Sequence, residues 1–382
     1  MKRVNCSSAE GFRRLKAVLG LGAVAVLIAA AIPAAASVFG TDQRGPLPET
    51  LRQTGTKLGV FFDSKSQSVC TAFCVAPDVV MTAAHCLYRT SGEQPLRLSE
   101  LAFKLHGTNQ NVKIAGAGEG VPEANVTSGS TKLSVRPPID ATRDWAMVRL
   151  AQPACSAGTL RISARPVDEV LALADKGRVF NIAYHRDLPK WQPTLATGCN
   201  VKRNFTDADW PTIKRDFYDP DQLLLHTCDT GAASSGSPLL VDGVDGPEVV
   251  GINVGTYVQS KVIMLNGEVL HRFKSDDVAN TGVNAQAFAP RLAAFINADT
   301  LTSRKDIRQL QEALAASALY SGPRDGRYGP ALQLAIERYQ RAAHMPVTGF
   351  ATLAVLQALK GESQLVTGKI TGARTTAATG AH

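Results

Sequence analysis

The stretch Thr82-Ala83-Ala84-His85-Cys86 decides the reading of this chain. It continues a short β-type run, Val79-Val80-Met81, and sets an imidazole where that strand ends. Such a histidine needs partners to do chemistry. Nucleophilic acyl transfer requires a hydroxyl, a base to take its proton, and a buried carboxylate to hold the base in one tautomer. Downstream, Arg143-Asp144-Trp145-Ala146-Met147-Val148-Arg149-Leu150 puts an acid directly before an alternating apolar run that reads as a strand entering a core. Later, Ala233-Ser234-Ser235-Gly236-Ser237-Pro238-Leu239 offers a hydroxyl in a loop of small residues. Each motif alone has an ordinary reading, as a packed histidine, a turn aspartate and a surface loop. Their order, His then Asp then Ser, separates the set from unrelated hydrolase arrangements.

Taken together, these motifs resemble the trypsin-like serine peptidases of chymotrypsin fold, over roughly residues 38 to 297. The likeness is nearest to the bacterial branch that includes the glutamyl endopeptidases. Val38-Phe39-Gly40-Thr41-Asp42-Gln43-Arg44 is similar to the start of mature chains there, and Ser-Gly-Ser-Pro is that branch's nucleophile loop. The resemblance implies a serine endopeptidase acting on protein or peptide substrates, with Ser235 as nucleophile, His85 as general base and Asp144 orienting it. It further implies an oxyanion hole from the N–H groups of Ala233 and Ser235, and no cofactor. No metal is expected either, because no Cys/His cluster has zinc-site spacing.

Several positions depart from the family pattern or bear on specificity. Ala233 stands where Gly is usual; in a conformation only Gly adopts cheaply, Ala costs about 1–2 kcal/mol or misforms the hole, unless Gly231 supplies the flexibility. Ser234 replaces the Asp with which trypsin pairs a newly cut amino terminus, so that route of activation is not expected. Asp229 lies at the offset of the trypsin acid that selects Lys and Arg. Asn253 and Gly255, in Ile252-Asn253-Val254-Gly255, are expected on the facing wall of the substrate pocket. Glutamyl endopeptidases place a His at the Asn253 position, so a strict Glu preference is not expected; small or apolar residues are the other alternative.

Six of the seven cysteines fall in the peptidase-like region, an even number that in an exported chain reads as disulfides. The resemblance implies a bridge between Cys70 and Cys86, beside the histidine. Cys199 with Cys228 would tie a long loop to the nucleophile loop, leaving Cys74 with Cys155; the alternative is free, buried thiols.

Export is read from the first residues. Lys2, Arg3, Arg13, Arg14 and Lys16 against the single acid Glu10 precede an apolar or small run from Ala17 to Ala36. Residues 1–36 are therefore expected to be a signal peptide cut after Ala34-Ala35-Ala36, with an uncleaved membrane anchor as the alternative. Removing those five basic residues and one acid lowers the formal charge from +8 to +4, too modest and scattered to suggest nucleic-acid binding. The expected location is exported, periplasmic or secreted, and associated with the cell wall. Contact with a membrane is expected only if the N-terminal segment stays uncleaved.

Short β-type runs between turn signals such as Asp242-Gly243 and Asp245-Gly246 point to an all-β barrel or sandwich. The resemblance selects a double six-stranded barrel over residues 37–299, closed by a short helix at 291–299. Composition then changes. Ile307, Leu310 and Leu314, then Leu332, Ala335, Ile336 and Tyr339, recur at helical spacing, and between them lies Gly322-Pro323-Arg324-Asp325-Gly326-Arg327-Tyr328-Gly329-Pro330. This segment resembles the small all-α three-helix peptidoglycan-binding domain of bacterial envelope enzymes, although Leu332 replaces a usual Thr and Tyr339 a usual Phe. The resemblance implies a domain at 300–361 that holds peptidoglycan through residues 304–360, followed by a flexible tail at 362–382 rich in Thr, Ala and Gly. Two other functions fit the same motifs: a catalytically silent envelope adaptor, and an enzyme cutting peptidoglycan crosslinks.

Overall fold

The computed structural model describes residues 37–361 other than 64, 66, 89–95, 207 and 266–267, with backbone alone over 259–276. The signal-peptide or anchor segment and the C-terminal tail lie outside the described residues. Among the described residues, no helix is long and apolar enough to cross a membrane.

Runs such as Val79-Val80-Met81 and Val249-Val250-Gly251-Ile252 are continuously apolar, which a strand tolerates only when both of its faces are buried. The structure supplies two covered sheets. The first contains β2 (Leu58–Asp63), β3 (Ser68–Ala76), β4 (Val79–Thr82), β5 (Leu101–Leu105), β6 (Val112–Lys113), β7 (Val126–Ser128) and β8 (Ala146–Arg149). Its order is β6-β5-β2-β3-β4-β8-β7, antiparallel throughout. Alternate residues part to opposite sides. Ala72, Cys74, Val80, Ala146 and Val148 fill an inner core, whereas Phe73, Val75, Met81 and Met147 face the second sheet.

The second sheet holds β1 (Arg44–Pro46), β9 (Arg161–Ile162), β10 (Val179–Ala183), β11 (Thr194–Ala196), β12 (Leu223–His226), β13 (Pro238–Gly243), β14 (Gly246–Leu265) and β15 (Glu268–Asn284). Its order is β1-β11-β10-β13-β14-β15-β12, with β9 parallel to β14. Ile182, Leu225, Leu240, Val249 and Ile252 close the shared core against the first sheet, and Val179, Leu239, Val241 and Val250 pack on the far side. Two packed sheets with helices after them are the chymotrypsin-like arrangement that the resemblance implies. The strand counts of seven and eight, instead of six and six, reflect short edge pieces such as β1 and β9.

The helical part begins after α4 (Ala289–Ile296). Ser303 caps α5 (Arg304–Ala316) by accepting from Asp306 N, and α6 (Pro330–Ala342) starts with Pro at its first position. Residues 353–361 are also helical. Ile307, Leu310, Leu314, Leu332, Ile336 and Tyr339 form one core, as their spacing predicts, but Val121 and Ala124 from a loop of the first sheet join it. Asn125, fully buried, donates to Leu301 O at 3.2 Å and accepts from Thr300 Oγ1 at 2.6 Å, and Phe295 meets Phe350 edge-on at 5.4 Å. The helices are thus packed on the sheets through a common core.

Candidate active site

The His85–Asp144 pair follows from one strand ladder. Thr82, the last residue of β4, lies opposite Ala146, the first of β8. The chain leaves Thr82 into a 3₁₀ turn, Ala84–Cys86, and reaches Ala146 from a second one, Ala141–Arg143, whose C-cap is Asp144. The two turns therefore start from adjacent points on paired strands. Asp144 Oδ1 accepts from His85 N at 2.8 Å, and Asp144 Oδ2 lies 2.7 Å from His85 Nδ1. Beside a buried carboxylate oxygen, a neutral His85 carries its proton on Nδ1. Cys70 in β3 is bonded to Cys86, which pins the histidine turn to the sheet. The ligand atoms of Cys70, His85 and Cys86 lie within 4.8 Å of one another, but both sulfurs are in that disulfide and are not metal donors. The other two bridges join Cys74 to Cys155 and Cys199 to Cys228.

Ser235 comes from the second sheet, on a loop that enters β13. Ser234 N donates to Gly231 O at 3.0 Å and Ser237 N to Ser234 O at 3.0 Å, so the loop is two successive tight turns. It is fastened across the interface by Thr71 of β3. Thr71 N donates to Ser235 O at 2.9 Å and its Oγ1 to Ala233 O at 2.8 Å, while Oγ1 accepts from Tyr184 N at 3.0 Å. Gly236 has φ +82, and a Cβ there would lie 2.4 Å from Thr71 O and 2.8 Å from Ala83 N, so only Gly lets the loop approach the histidine strand. Nothing in Ser-Val-Cys-Thr-Ala-Phe-Cys singles out Thr71; its role exists only where the sheets meet.

Ala233 adopts φ +84, the left-handed region that favours Gly, and the conformational demand therefore falls on it and not on Gly231. Neither Ala233 N nor Ser235 N donates to a described residue, so both amides are available together. His85, Ala233 and Ser235 line one cleft of about 450 Å³, with Asn253 and Gly255 on its wall.

Asp229 departs from the sequence expectation. Its carboxylate turns away from the cleft and accepts from Phe39 N and Gln43 N, each at 2.8 Å, and the residue is buried at 3% exposure. It clamps the segment ahead of β1 and does not line the pocket, because two backbone amides satisfy it first. Arg44 fastens the same segment, pairing with Asp42 at 2.8 Å and with Asp187 at 2.7 Å. Asn253 is fully engaged. Its Nδ2 donates to Ser234 O at 3.2 Å, and its Oδ1 accepts from His226 Nε2 at 3.2 Å. Burial pushes the His226 imidazole down to about 4, opposed in part by that hydrogen bond, so it is neutral and leaves the wall uncharged.

Residues 70–252 match the family model described as “Trypsin-like peptidase domain”. The chain carries a trypsin-like peptidase domain. Behind this peptidase domain, residues 303–359 match the model described as “Putative peptidoglycan binding domain”. Among solved structures, “Structure of Glu endopeptidase in complex with MPD” is 18% identical to this chain over 68% of it and 97% of that protein, with a TM-score of 0.42. No curated protein matches the chain.

Proposed function

We propose that the protein is an exported serine endopeptidase held at the cell wall by its C-terminal helices. Ser235 attacks the peptide carbonyl, His85 takes its proton and returns it to the leaving amine, Asp144 orients His85, and the amides of Ala233 and Ser235 hold the oxyanion. The observation that carries this reading is the 2.7 Å Asp144–His85 contact on a cleft that Ser235 and the two unpaired amides share. The left-handed Ala233 supports an active site over a silent adaptor, because the backbone takes the Gly-favoured conformation in spite of the added Cβ. Side chains of neutral, small or apolar character fit the pocket best, since Asp229 is turned away and Asn253 is spent on neutral partners. A division into a signal peptide at 1–36, a peptidase at 37–299, a wall-binding part at 300–361 and a tail at 362–382 completes the reading. The three disulfides and the match over 303–359 support a location outside the cytoplasm, at the wall.

Fluorophosphonate labelling of the oxidised protein, with the adduct located by mass spectrometry, tests the chemistry. An adduct on Ser235 that is lost in Ser235→Ala and in His85→Ala is expected. A folded protein that takes no label would overturn the enzyme in favour of the adaptor. Sedimentation with purified sacculi tests wall binding separately.

A further inference from the structure

A second cleft, of about 650 Å³, lies where the helical part meets the first sheet. That volume is in the usual range of about 300–1,000 Å³ for small-ligand sites, which favour such junctions. One wall carries Tyr88, Glu123 and Trp145 from the peptidase domain; the other carries Arg291 from α4 with Tyr328 and Gln333 from the helical part.

The polar groups of this cleft are left over by the fold. Trp145 is buried at 5% exposure, yet among the described residues its indole N–H has no acceptor. Gly129 makes room at that atom, for a Cβ at 129 would lie 2.7 Å from Nε1. The Tyr88 hydroxyl has no hydrogen-bond partner among the described residues, and the Glu123 carboxylate accepts from its own backbone N–H. Arg291 spends one nitrogen on Thr127 Oγ1 at 3.3 Å, and Gln333 spends its amide N–H on Glu337 at 3.1 Å, which leaves its carbonyl to accept. Partial desolvation in the cleft pushes the Glu123 carboxyl above its usual value, and its backbone hydrogen bond and then Arg327 offset only part of this.

We infer that this cleft is where the protein holds peptidoglycan, with the peptidase domain supplying half of the site and the helical part the other half. The inference rests on the wall-binding reading above and locates it. The lining fits a muropeptide: aromatic faces for the apolar faces of the sugars, N–H and O–H donors for acetamido and hydroxyl groups, Arg291 for a stem-peptide carboxylate, and Glu123 for its free amine. Because both walls take part, the helical segment on its own is expected to bind poorly. Trp145 adjoins Asp144 in sequence and Tyr88 lies on the turn after His85, so the walls are tested through residues away from that pair.

The experiment uses the full, oxidised chain and a disaccharide-tetrapeptide released from sacculi by muramidase, with binding measured by calorimetry beside sedimentation with intact sacculi. Glu123→Gln on one wall and Gln333→Ala on the other are each expected to weaken muropeptide binding about tenfold at unchanged thermal stability, with Arg291→Gln as a third variant, expected to weaken it likewise, should either fail to fold. Wild-type affinity in folded Glu123→Gln and Gln333→Ala, with sacculus binding intact, would overturn the cleft and leave wall binding standing. Failure of the wild-type protein to sediment with sacculi would overturn wall binding itself, and the cleft with it.

Discussion

The two sheets bring their parts of the site together in different ways. The His85–Asp144 pair belongs to one ladder: β4 and β8 are hydrogen-bonded neighbours, both residues sit on turns at the same end, and the Cys70–Cys86 bridge locks one of those turns. Ser235 has no such ladder. It is held by Thr71, by Gly236 packed on Ala83, and by a left-handed Ala233, all contacts that exist only after the sheets dock. The first half is set by local pairing and should resist change, whereas the second depends on the inter-sheet interface and on buried neutral histidines.

The largest expected effect tests both halves together. Ser235→Ala, His85→Ala and Asp144→Asn should each lower kcat/KM on a peptide substrate by about 10⁴-fold or more, and combining them should add little, since the residues act as a unit. Additive losses in the double variants would break the proposed coupling of the halves.

Acidification should separate them. His185 and His226 both belong to the second half, and burial pushes each down to about 4; for His185 the neighbouring Arg44 adds to the effect. In the unfolded chain both titrate near 6.5, so between pH 6.5 and 4 the unfolded state binds more protons and stability falls as the pH falls. A loss of roughly 3 kcal/mol per histidine across that window is expected, visible as a drop in denaturation midpoint that His226→Gln makes smaller. A flat profile would remove the contrast between the sheets.

Next in size is Thr71→Val, which keeps the shape but leaves Ala233 O and Tyr184 N without their partner. It should reduce kcat/KM about 100-fold by loosening the Ser235 loop, while Thr71→Ser retains most of the activity. The smallest effect concerns strain. Ala233→Gly should raise stability by about 1 kcal/mol in chemical denaturation without lowering kcat/KM, whereas a loss of stability would mean the left-handed Ala233 costs nothing.

Much of this protein was legible before folding. The apolar runs of Val79–Met81 and 249–252 demanded strands covered on both sides, the spacing of Ile307, Leu310 and Leu314 demanded a helix, and the order of His85, Asp144 and Ser235 pointed to one site. Such features are carried by local periodicity and by residue chemistry, which survive in a linear string. Asp229 was misplaced for the opposite reason. An offset from Ser235 says which strand end a residue occupies but not where its side chain turns, and two amides of the segment at 39–43, distant in sequence, decided that. Thr71, His226 and the cleft beneath Trp145 left no mark in the sequence, because each is defined by groups from separate elements meeting in a space that exists only once they pack. The sequence by itself determined that a histidine, an acid and a serine follow in the order His85, Asp144, Ser235, and which segments are strand or helix. Only the tertiary structure decided how the Ser235 loop is gripped, that Asp229 turns away from the cleft and where the helices leave polar groups unspent, because burial and hydrogen-bond competition are settled among residues far apart in the chain.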